Sequence, residues 1–244
     1  MDKQKFIEEA GDLEMVIADR VRSTKIVPAI LVVFVCKLVS TGVALVINPM
    51  TLAKDPTMTL NVAAVTLLMT LAVAYITWVL SFGYRMQPMT PLKIGKRMYS
   101  LSVLTLLSSI IGFAVSAFSS THMSEIEALK TNPASMVTSQ NGLIFIGLAV
   151  VAGILALVLF IYTIMILVDM VKFKLPLYKP SLILIIGSII IGAVTGGIVS
   201  GASVINPNVE TNSTIGITAQ IAAVLNSLLY FYLLYCVYKL STRK

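Results

Sequence analysis

Along this chain long apolar stretches alternate with short polar ones. Six runs of about 20 residues lie near 27–47, 60–82, 99–118, 142–168, 181–205 and 217–238. That is the length a helix rising ~1.5 Å per residue needs to cross ~30 Å of hydrocarbon. The pattern predicts an all-α, polytopic membrane protein with six transmembrane helices. The fourth and fifth runs exceed the required length, which predicts tilt or protrusion.

Composition gives the same picture. Of the 244 residues, 57% are hydrophobic and only 12% charged, and the mean hydropathy is strongly positive, unlike an ordinary soluble domain. The first 25 residues contain no apolar core followed by a small-residue cleavage site, so the first run is expected to serve as the targeting signal.

Charge placement sets an orientation. Basic residues near span ends stay on the cytoplasmic side, whereas carboxylates matter little. Lys3, Lys5, Arg20, Arg22 and Lys25 precede the first run, Arg85, Lys93, Lys96 and Arg97 follow the second, Lys172, Lys174 and Lys179 follow the fourth, and Lys239, Arg243 and Lys244 close the chain. The other three loops hold only Lys54 and Lys130. Both termini are therefore expected in the cytoplasm, with the spans arranged as three hairpins in a plasma or bacterial inner membrane. The net charge of +7 then reports topology and attraction to anionic lipid, and no nucleic-acid partner is expected. Trp78, Tyr84, Tyr99, Tyr235 and Tyr238 fall where the cytoplasmic interface should be, which suits amphipathic rings.

The organisation is a cytoplasmic N-terminal segment (1–25), a six-helix membrane domain (26–238) and a basic tail (239–244). In the first segment Phe6, Ala10, Leu13, Ile17 and Val21 recur at helical spacing, predicting an amphipathic helix. Its acidic surface suits a cytoplasmic protein partner better than anionic lipid. Cys36 and Cys236 lie at different depths, which predicts two unpaired thiols.

The phrase VINP occurs at 46–49 and again at 204–207, and a third Asn-Pro stands at Asn132-Pro133. Proline lacks an amide donor and biases the preceding residue away from helix, so each pair marks a chain leaving the membrane on the external side. NVAAV (61–65) resembles QIAAV (220–224), and SSIIGFAV (108–115) resembles SIIIGAVT (188–195). Duplication of a hairpin and simple punctuation both account for this.

Two groups of residues carry candidate contacts. Ser188, Gly192, Gly196 and Ser200 recur every four residues in the fifth run, beside Ala193, Gly197 and Gly201. Ala149, Ala152, Gly153 and Ala156 repeat the theme in the fourth. Small residues so spaced let helix backbones approach closely in lipid, either within the chain or against another subunit or a second copy. The second group surrounds Lys37, the one charge deep inside a run, ~15 Å from either interface. Its ammonium needs hydroxyls such as Ser40 and Thr41, backbone carbonyls, cavity water or a partner's carboxylate, unless the span starts later and Lys37 reaches the membrane edge. Asn226 is a further polar contact residue at depth. Ser227, Thr66, Thr70 and Thr163 add hydroxyls, which would line a pathway only if several converge.

Other chemistry is thin. His122, Glu125 and Glu127 lack a second imidazole or thiol, so no metal site is expected. Asn212-Ser213-Thr214 fits a glycosylation acceptor. There is no HExxH, GxSxG, aspartate pair or P-loop, so neither an enzyme nor a resident cofactor is expected. Two functions remain. One is a non-enzymatic membrane subunit of a larger transport or secretion assembly, contacting lipid and other subunits. The other is a small permease, or the membrane half of an ABC-type exporter served by a separate ATPase. A translocating chain should aim several polar residues at one cavity and interrupt its helices with Gly or Pro. Proline here is confined to loops and span starts, which favours the subunit.

Overall fold

The computed structural model describes residues 18–19, 26–47, 55–85, 94–122, 139–172, 174–205 and 210–242, with side chains described except at 85, 198–205 and 210–215. These residues form α1 (Ile26–Val46), α2 (Pro56–Arg85), α3 (Ile94–Thr121), α4 (Gln140–Lys172), α5 (Tyr178–Ile205) and α6 (Glu210–Thr242). Each helix is long and apolar enough to cross a membrane, one for each predicted run, so the chain is a multi-pass membrane protein. The three Asn-Pro pairs, and the N-terminal segment apart from Ala18 and Asp19, lie outside the described residues.

Local chemistry places the helix ends. α2 begins ahead of its apolar run because the Asp55 Oδ1 accepts the amides of Thr57 (2.9 Å) and Met58 (3.1 Å), and Pro56 fills the first helical position, where a missing N–H is harmless. At α4 the Ser139 hydroxyl accepts the Gly142 amide at 3.0 Å. α1 stops at Val46 and α5 at Ile205, each just short of an Asn-Pro. α6 continues to Thr242, so the basic tail begins as helix.

Consecutive helices are neighbours around a ring, with α6 closing on α1. The pairs α1–α2, α3–α4 and α5–α6 all touch, as three hairpins require, yet the most extensive packing is α2 on α3 and the slightest is α4 on α5. The α2–α3 seam is tight because small residues line it: Ala74, Ser81 and Ser102 are buried, and the Ser102 hydroxyl donates to the Ala74 carbonyl across the seam at 2.7 Å. In lipid such close approach and cross-helix hydrogen bonds hold helices together, since burial of apolar surface brings little gain. α6 lies antiparallel to α1, with Phe34 against Phe231 at 4.8 Å and the Gln220 amide donating to the Leu45 carbonyl at 2.9 Å.

Among the described residues the buried hydrophobic core lies at one end. Its members come from the first halves of α1 and α3 and the last halves of α2, α4 and α6, joined by Ala18 and Leu175. This is the end that carries the basic residues, the basic end. The opposite one is termed the Asn-Pro end. At the basic end Trp78, Tyr99, Tyr235 and Tyr238 are exposed, but Tyr84 is only 3% exposed; its hydroxyl has an internal partner, described below. Cys36 and Cys236 are both free thiols.

Candidate functional site

Lys37 sits at mid-helix in α1, eleven residues beyond Ile26, or ~16 Å along the axis. Its Nζ lies over the Tyr230 ring of α6 at 5.6 Å from the centroid, within the range of a cation–π contact. Of the two hydroxyls expected beside it, the structure uses Thr41 and not Ser40, and uses it to join helices. The Thr41 Oγ1 is 2.7 Å from the Lys37 carbonyl and 2.6 Å from the Ser227 Oγ, which is itself 2.6 Å from the Ala223 carbonyl. Two protons serve these three contacts. Ser227 donating to Ala223 leaves Thr41 to donate either to Lys37 or to Ser227. The fourth expected contact residue, Asn226, keeps its Oδ1 buried with no partner among the described residues. Asn226 is one turn from Tyr230 on the same helix face.

Tyr230 belongs to a cavity of about 400 Å³ inside the basic half of the ring, which is lined by α2, α3, α4, α5 and α6. A second cavity, of about 630 Å³, runs along α2 and α3 toward the Asn-Pro end, and the two share Thr105 and Leu159. The lining residues of α2, from Thr59 through Thr66, Thr70, Val73 and Thr77 to Tyr84, recur at three- and four-residue steps and form one continuous face. α3 repeats this from Met98 through Thr105, Ser109 and Gly112 to Ser116.

Most hydroxyls along this path turn their protons to backbone carbonyls. Among the residues lining the two cavities none is charged. The hydroxyls of Thr66, Thr70, Thr105, Ser109 and Ser116 donate to carbonyls of their own helices at 2.6–3.0 Å. Thr77 and Thr163 in the basic half do the same at 2.9 and 2.8 Å. With their protons so directed, these oxygens offer lone pairs to whatever fills the space.

The basic end is closed by the α4–α5 turn. The Leu175 amide donates to the Met170 carbonyl at 3.0 Å and the Lys174 amide to Val171 at 3.3 Å, with Lys174 at φ 49°. This is the six-to-one and five-to-two pattern of a Schellman helix end, with lysine at the left-handed position that glycine usually holds. It drives Leu175 into the core beside Met170, at 1% and 5% exposure, as the motif's apolar contact requires. Leu177, also at positive φ (65°), lines the cavity floor. Two further contacts fasten this end: the Tyr84 hydroxyl donates to the Pro176 carbonyl at 2.9 Å, and Arg97 of α3 pairs with Asp169 of α4.

The small-residue row of α5 is uncovered. A Cβ on Gly192, Gly196 or Gly197 would meet nothing within 4 Å among the described residues. Ser188 and Gly192 continue the face that Ser181 and Ile185 present to the cavity. The side chain of Ser200 and the surroundings of Gly201 lie outside the described residues. Close approach on α5 occurs instead at Gly187, where a Cβ would stand 2.5 Å from a Leu229 methyl of α6. His122 stacks on Phe118 at 4.4 Å at the end of α3, while Glu125 and Glu127 lie outside the described residues.

Sequence reasoning missed Asp169 and the α3 hydroxyls, and it read Tyr84 as an interfacial ring where the structure turns it inward. Asp169 is the only carboxylate within α1 to α5, a signal that could have singled it out. Thr105, Ser109 and Ser116 share one face at helical spacing, and so do Thr66 and Thr70, but only a fold shows that the two faces meet. Comparison with known protein families, curated proteins and solved structures finds no match for this chain.

Proposed function

We propose that this chain is a small permease whose solute moves along the joined inner faces of α2 and α3. The observation that carries the reading is the pair of cavities meeting at Thr105 and Leu159, because convergence of mid-membrane polar groups on one space is what a translocating chain needs. Thr66, Thr70 and Thr163, separate polar residues in sequence, all belong to that space. The helices are unbroken along it, so solute contacts come from side chains rather than unwound backbone. In this reading the basic end and both termini face the cytoplasm, the three hairpins open outward, and the state described is open toward the Asn-Pro end.

The test is a single cysteine at Thr105, with Cys36 and Cys236 replaced by alanine, exposed in sealed vesicles to a membrane-impermeant thiol reagent. Labelling from the Asn-Pro side is expected. A Thr105→Cys thiol that reacts only after unfolding contradicts the reading.

A second reading, a non-enzymatic subunit of a transport or secretion assembly, is favoured by the uncovered glycines of α5 and the slight α4–α5 contact. Gly192, Gly196 and Gly197 would then receive a helix of a partner or of a second copy. Mild-detergent purification tests it: a stable larger complex that Gly196→Leu disperses supports the subunit, and a monomer in both forms counts against it.

A further inference from the structure

We propose that the path favours small uncharged molecules rich in N–H or O–H donors over donor-free solutes and excludes ions; this rests on the permease reading. The argument is one of donor and acceptor supply. A solute leaving water needs its hydrogen bonds replaced. Here Thr66, Thr105, Ser109 and Thr163 have already directed their protons to the carbonyls of Val62, Leu101, Thr105 and Leu159, so the walls supply mostly acceptors, and the lining hydroxyls of Ser108, Ser181 and Tyr230 are the exceptions that keep a proton to offer. A solute bringing donors is matched along the whole path, and one bringing only acceptors is matched at few points.

Charge gives the second filter. Hydroxyl oxygens also coordinate cations, but no carboxylate lines either cavity. Asp169, the only one within α1 to α5, is held by Arg97 outside the lining. A cation stripped of water would therefore meet dipoles without a compensating charge, and an anion would meet the lone pairs head on. The floor adds a size and polarity limit, because below Thr105 the walls are mainly Leu, Ile, Met and Val, which only a small or partly apolar molecule passes readily.

Purified protein in phosphatidylcholine vesicles tests this with four probes: urea and glycerol as neutral donors, trimethylamine N-oxide as a neutral acceptor without donors, and K⁺. Uptake of urea and glycerol above that of empty vesicles is expected, with trimethylamine N-oxide slower than either and K⁺ at the empty-vesicle rate. Thr105→Val and Ser109→Ala, each checked for unchanged elution and thermal midpoint, should lower urea uptake roughly threefold to tenfold, the worth of one hydrogen bond. Preferential uptake of K⁺ or trimethylamine N-oxide, or urea uptake indifferent to both substitutions, overturns the substrate class. If Thr105→Cys is labelled from the Asn-Pro side but no probe crosses, the class fails while the permease reading stands. Absence of both labelling and uptake removes the two together.

Discussion

The two ends of this six-helix ring are built on opposite rules. At the basic end, apolar side chains from α1, α2, α3, α4 and α6 form the buried core together with Leu175, around the smaller and mainly apolar cavity. Toward the Asn-Pro end, α2 and α3 turn hydroxyls onto the larger cavity, and among the described residues the space between them stays open. The contrast shows what holds a bundle when the solvent is lipid. Helix association has no hydrophobic drive there and depends on close packing and cross-helix hydrogen bonds. The bond from Ser102 to the Ala74 carbonyl closes the α2–α3 seam, whereas Thr105 and Ser109, on the next turns of α3, bond their own helix and leave the space beside them free.

Substitutions placed in pairs, one at each end, should separate these rules. The largest effect is expected from Leu175→Asn, which puts an unpartnered amide among Met170, Met98 and Val237 and should destabilise by about 3 kcal/mol or more. Its counterpart is Thr66→Asn: Thr66 lines the larger cavity, and if that cavity is water-filled, as the permease reading requires, the substitution should stay within about 0.5 kcal/mol of the parent. Thermal unfolding in detergent reads both. Next, Gly187→Leu drives a side chain into Leu229 and should cost about 1–3 kcal/mol, while Gly196→Leu leaves the midpoint of the isolated chain unchanged. A loss of stability for Gly196→Leu would show that the α5 row is packed after all.

Smaller effects bear on the closure. Asp169→Asn leaves Arg97 without its counter-charge at a partly exposed site and should cost about 1–2 kcal/mol. Introducing Arg97→Gln as well should recover part of that loss, measurable as a coupling between the two substitutions. Lys174→Gly relieves the left-handed backbone at the end of α4 and should raise stability by about 1 kcal/mol. The solvent-exposed lysine side chain takes no part in the core, so no offsetting loss is expected.

How much of this was legible in the sequence follows the range of the interactions. Span number and position were legible because hydrophobic length is a local property. Helix starts were partly so: Asp55-Pro56 is a readable cap and first position, which extends α2 beyond its apolar run. Lys37 stands out in the sequence as a basic residue within an apolar run, but its neighbour is an aromatic ring, Tyr230, that no local pattern connects to it. Thr41 was read as support for Lys37 and instead bridges to Ser227, 186 residues away. Arg97 and Asp169 stand at the edges of two different runs, where basic residues read as topology and carboxylates weigh little in it, so nothing local pairs the two. Tyr84 has the spacing of an interfacial anchor, and only the α4–α5 turn supplies the carbonyl that takes it inside.

The central claim is that one face of α2 is wet from the Asn-Pro end as far as the level of Thr105 and dry beyond it. Single cysteines at Thr66, Thr70, Val73, Thr77 and Leu80, labelled from each side of sealed vesicles with an impermeant thiol reagent, test it directly. Labelling at Thr66→Cys and Thr70→Cys from the Asn-Pro side, falling away toward Leu80→Cys and absent from the basic side, is the predicted result. Uniform protection of all five, or labelling of Leu80→Cys from the basic side, would contradict it.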